Sequence, residues 1–124
     1  PGGAVIALAE PDHKSRIDFP PLMDHLGKLQ TQSLKNQGVD ISIGRRLGKL
    51  FHKCGFEKIE TGVLGAQWAE KTSDEMEWMT LRSDLSGQLS NVELAYYKEI
   101  EDRSRSAGTR ILFIPTFYAI GFVK

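Results

Sequence analysis

The sequence predicts an α/β fold, a sheet with a buried opening strand and a long closing strand, with helices between them. Three observations carry this. Pro1-Gly2-Gly3 runs straight into Ala4-Val5-Ile6-Ala7-Leu8-Ala9 and then Glu10-Pro11-Asp12. A tight turn, a continuous apolar run and an acidic exit read as a strand buried on both faces. Ile43, Leu47, Leu50, Phe51 and Cys54 occupy one helical stripe, and the chain closes on aromatic and β-branched residues from Arg110 to Val123. Parallel α/β sheets build such opening strands and present ligand-facing residues at their carboxyl ends. No earlier strand is offered for this one to pair with in parallel, so the chain reads as the second half of a domain.

Taken in order, the first strand gives way to a polar loop, His13 to Pro21, closed by a proline pair. Pro20 or Pro21 suits a first helical turn, where a missing N–H costs nothing. Leu22, Leu26 and Leu29 then recur at helical spacing up to Asn36, with Gly38 as the stop. Asp40 or Ser42 can cap the next helix, and Gly55 is placed for the left-handed turn that ends it. Gly44 and Gly48, one turn apart, weaken it by about 1 kcal/mol each and so point to close packing against a neighbour. Lys58–Leu64 alternates at first as a partly exposed strand does. Two capping boxes, Thr72 with Glu75 and Ser90 with Glu93, open helices near Asp74–Leu85 and Asn91–Ser104. Pro115 cannot donate to a ladder, so the closing strand, Arg110–Phe122, needs a bulge or bend there.

Composition limits the functional classes. The 124 residues fit one domain, 1–124, with helical insertions at 13–39 and 69–108. Sixteen basic residues balance sixteen acidic ones, so no global field draws the chain to nucleic acid or to a membrane surface. No apolar run approaches bilayer length. One cysteine excludes an internal disulfide, which points to a reducing compartment or to indifference to redox, and a cytoplasmic location is the expectation. Cys54 reads as a small buried hydrophobe, and Trp78 with Met76 and Met79 as a core stripe. His13, His25 and His52 are too scattered to suggest a metal site, and no serine or cysteine triad is supported.

The order of elements, with Pro1-Gly2-Gly3, Ala9-Glu10-Pro11-Asp12, Gly44-Arg45-Arg46-Leu47…Phe51…Cys54-Gly55-Phe56 and Ile111-Leu112-Phe113-Ile114-Pro115-Thr116-Phe117-Tyr118, resembles the C-terminal half of class I S-adenosylmethionine-dependent methyltransferases. The resemblance covers nearly the whole chain. It implies a partial Rossmann-like sheet of mixed direction, the last strand antiparallel between the other two, with four helices of which two or three form a lid-like insertion. The family's cofactor half has no counterpart here, because no Gly-x-Gly-x-Gly turn links a strand to a helix. S-adenosylmethionine is therefore expected to serve the parent enzyme, with the missing N-terminal half as partner, and not to bind this chain alone.

On that fold the carboxyl edge of the parallel strands would hold Glu10 and Asp12 after the first strand and Gln67 and Trp68 after the second. Arg110 at the start of the reversed strand would share the edge, with Arg45 and Arg46 in the nearby first turn of the long helix. Glu10 and Asp12 can serve as general base or orient an acceptor, or else cap the loop. Arg16 can bind an acceptor or pair with Asp18 on the surface. Arg45 and Arg46 read as solvent-facing residues with an anion site as the alternative. Trp68 reads as a pocket wall or ordinary packing.

The expectation is therefore a methyltransferase segment that contributes sheet and acceptor-site lid for a small-molecule acceptor and is inactive alone. The alternative is a self-standing, non-catalytic α+β binding module. Without a fourth strand of the parent sheet, Val5-Ile6-Ala7-Leu8 would be an unprotected edge, which predicts a homodimer or strand-swapped oligomer for the isolated chain.

Overall fold

The computed structural model describes residues 1–65 and 75–124. Its elements are β1 (Ala4–Pro11), β2 (Ile17–Phe19), α1 (Pro21–Asn36), α2 (Ile43–Lys53), β3 (Glu57–Leu64), α3 (Glu75–Asp84), α4 (Asn91–Ser106), β4 (Ile111–Phe113) and β5 (Thr116–Phe122), with a 3-10 turn at His13–Ser15. The fold is α/β, with four helices and small antiparallel sheets among the described residues. Two units form. Pro1–Arg16, Asp40–Ala66 and Ile114–Lys124 make one; Ile17–Val39 and Gln67–Phe113 make the other.

In the first unit the sheet order is β1-β5-β3, and β5 runs antiparallel to both neighbours, with Ala119 opposite Ala7 on one side and Thr61 on the other. The last strand thus enters reversed between two strands that run parallel to each other. Alternation along β5 decides which side chains meet α2. Ala119 is buried with Leu47 and Phe51, and Ala7, Phe56, Ile59 and Phe117 pack around them. The two helix glycines answer to this packing unequally. A Cβ at Gly44 would lie 2.6 Å from Phe117 Cδ2 and 2.8 Å from the Glu10 carbonyl oxygen, whereas one at Gly48 would stand 3.4 Å from Thr61 Cγ2.

The opening strand is not buried on both faces as its apolar run suggests. It is an outer strand, with Ile6 55% and Leu8 61% exposed. Its pairing with β5 carries a bulge between Ala7 and Glu10, where Ala9 takes φ 60°. Cys54 is also exposed rather than buried; α2 ends at Lys53, and residue 54 is its C-cap. The buried face of α2 centres on Gly44, Leu47 and Phe51.

The second unit has its own core. Met23 and Leu26 of α1 meet Leu81 and Leu85, with Leu29, Trp78, Leu89, Tyr97 and Ile100 packed against them. Pro21 stands in the first turn of α1, and Gly38 (φ 84°) follows its end. Ser90 and Glu93 close a reciprocal capping box on α4. The Thr72–Glu75 box lies outside the described residues. Of the expected core stripe on α3, Trp78 packs inward while Met76 and Met79 are 77% and 66% exposed. The expected single closing strand is two. It is interrupted at Ile114-Pro115, so β4 pairs with β2 and only β5 joins the larger sheet. β2 itself lies in the segment read as a polar loop.

Candidate functional site

The carboxyl end of β1 and the first turn of α2 bring three predicted residues together in the first unit. Asp12 leaves β1 by donating its N–H to the Pro115 carbonyl at 2.7 Å, which aims its side chain along the start of α2. That carboxylate is only 1% exposed. Arg45 reaches back to meet it in a two-pronged pair: Nε donates to Oδ2 at 2.5 Å and Nη2 to Oδ1 at 2.7 Å. The same Nη2 donates to Ser15 Oγ at 2.5 Å. A bidentate guanidinium–carboxylate pair of this kind fixes both orientation and charge. The hydrogen bonds from Arg45 hold the Asp12 carboxyl below the usual carboxylate range, and they outweigh the opposing push of burial.

Arg45 and Arg46 are both exposed, as expected, but neither guanidinium is without a protein partner. Arg45 is bound to Asp12, and Arg46 forms an ion pair with Asp40. With both oxygens engaged and its charge stabilised, Asp12 is a poor proton acceptor and a firm support for the loop. Glu10 differs. It is half-buried beside the bulge, and no hydrogen bond or ion pair reaches its carboxylate among the described residues. Bulges re-aim side chains and recur beside active sites. Arg16 closes the turn His13–Ser15, its N–H donating to the His13 carbonyl at 3.4 Å. Gln67 and Trp68 lie outside the described residues.

Arg110 does not start the strand of the larger sheet. It precedes β4 in the second unit, because the chain breaks at Pro115 before β5 begins. Its guanidinium is 4% exposed and sits between carboxylates, 3.0 Å from Asp18 Oδ1 and hydrogen-bonded to Glu101 Oε2; it also donates to the Phe19 carbonyl at 3.2 Å. Glu101 also takes Arg105, which reaches Glu77 at 2.9 Å. These residues bind α4, α3 and the β2–β4 ribbon together. They make a structural ion cluster, with each guanidinium already committed to protein carboxylates.

Sequence reasoning missed Ser15 as a third member at Asp12, and it missed the Asp12–Arg45 pair itself. Arg45 lies 33 residues from Asp12 and 30 from Ser15, and nothing local ties it to either. Among the described residues no group of three or more His, Cys, Asp and Glu is placed to hold a metal, and no helix is long and apolar enough to cross a membrane. Neither a comparison with protein-family models nor a search of curated protein sequences finds a match to this chain.

Proposed function

We propose that this chain is the C-terminal portion of an S-adenosylmethionine-dependent methyltransferase, acting on a small-molecule acceptor at the carboxyl edge of β1. The supporting observation is topological: the last strand lies reversed between two mutually parallel strands, as it does in the resembled family. In this reading the donor is held by a preceding part of the protein. Methyl transfer from a sulfonium depends mostly on positioning and desolvation, so it asks little of any single side chain. Glu10 would accept the acceptor's proton or hydrogen bond, and Asp12 with Arg45 and Ser15 would hold the loop that presents it.

The test is made on the full product of the coding sequence that contains Pro1–Lys124. A strand–Gly-x-Gly–helix unit is expected upstream, with saturable heat on titration by S-adenosylmethionine and transfer of a tritiated methyl group to small molecules. A full product without donor binding overturns the reading. Saturable donor binding by Pro1–Lys124 alone overturns the division of labour.

One observation favours a second reading, a non-catalytic assembly module: among the described residues no strand pairs with the outer side of β1, whose Ile6 and Leu8 are exposed. Methyl transfer by the full product separates the two.

A further inference from the structure

The two edges of the three-stranded sheet are built differently. Along β3 the outer edge carries Glu57, Lys58 and Glu60, and it is broken by an irregularity between Glu57 and Glu60 where Lys58 takes φ 47°. Charges and bulges of this kind keep an edge from pairing with another chain. β1 has no such protection over Ala4-Val5-Ile6-Ala7-Leu8, which is uncharged, and its own bulge comes only after Ala7.

The backbone pattern sets how this edge can be filled. Val123 donates its N–H to the Gly3 carbonyl and Gly2 donates to the Val123 carbonyl, so odd-numbered residues of β5 turn toward β1. By the alternation of an antiparallel ladder, Val5 and Ala7, opposite Gly121 and Ala119, direct their N–H and C=O groups to β5. Ala4 and Ile6 therefore turn theirs outward, and Leu8 enters the bulge that follows Ala7.

We infer that the open edge of β1 pairs with β1 of a second copy of this chain, antiparallel about a two-fold axis at Ile6. That register makes Ile6 face Ile6 of the second copy, where both residues turn their N–H and C=O groups outward, and Ala4 face Leu8. It also places no charge opposite a like charge, which pairing through β3 would do with its glutamates. The surface is isologous, as a two-fold contact requires. It joins two three-stranded sheets into one of six strands and covers Ile6 and Leu8. The inference concerns the 124-residue chain and does not depend on methyl transfer.

Sedimentation velocity of the 124-residue chain at high micromolar concentration is expected to show a mass twice that of the monomer. Ile6→Lys should shift it to monomer with an unchanged circular dichroism spectrum. In a Cys54→Ser background, Ile6→Cys should cross-link two copies on mild oxidation. Leu8→Cys should not, because in this register residue 8 faces residue 4. A chain that is monomeric throughout overturns the inference. So does a dimer that survives Ile6→Lys, or equal cross-linking at positions 6 and 8, which would mark parallel in-register pairing.

Discussion

Asp12 is buried yet remains a carboxylate because Arg45 meets both of its oxygens. Its folded pKa therefore lies below the unfolded one. The sign follows by linkage: this contribution to stability is fully present above the ordinary carboxylate range and is lost as pH falls through the folded value. Asp12→Asn should thus be destabilised at neutral pH and lose less than the parent between neutral pH and pH about 3. Urea midpoints at the two pH values read this; parallel pH profiles for the two proteins would refute it. Gly44 and Gly48 test packing one helical turn apart. Gly44→Ala should cost about 1–3 kcal/mol, because its methyl meets the Glu10 backbone as well as the Phe117 ring. Gly48→Ala meets only Thr61 Cγ2 at ordinary contact, so it should be neutral or stabilising by up to about 1 kcal/mol. Urea midpoints moving the same way for both would contradict the packing given for α2.

At the scale of elements, what was legible in the sequence was what local chemistry decides. The capping box at Ser90 needs only residues three apart, and the structure closes it with Ser90 accepting from the Glu93 N–H at 3.2 Å and the Glu93 carboxylate taking the Ser90 N–H at 2.8 Å. Ser90→Ala should cost about 1 kcal/mol by urea denaturation, and no loss would mean that α4 is fixed by tertiary packing alone. The α2 stripe was legible for the same reason, although its margin was not. Cys54 has the right spacing but follows the last helical residue. Periodicity reports spacing and says nothing of where the helix stops. β2 escaped notice because three residues show no alternation, and only pairing with β4, far along the chain, makes them a strand. Pro115 announced an interruption, but the sequence could not tell that the chain would change sheets there. The candidate site was half legible. Glu10, Asp12 and Arg45 were named from their places in the element order, while the pairing that separates the roles of Glu10 and Asp12 lay beyond local pattern.

At the scale of the whole molecule, each of the two units has a core of its own among the described residues. One is built from Leu47, Phe51 and Ala119, the other from Met23, Leu26, Leu81 and Leu85. Arg110 belongs wholly to the second unit, where it holds Asp18, Glu101 and the Phe19 carbonyl. Arg110→Met removes one cation from among buried carboxylates and keeps most of the apolar volume, so the loss is electrostatic. Breaking a buried pair in this way costs about 3–5 kcal/mol, a large part of the stability of a small unit. Because Asp18, Phe19, Glu101 and Arg110 all belong to the second unit, the damage should stay there. Hydrogen exchange should show lost protection in β2, β4 and α4, with the amides of β1, β3 and β5 unchanged. Gly44→Ala should give the reverse pattern. Equal loss of protection in both units for either variant would mean that they open as one, and the two cores would then be parts of a single cooperative structure.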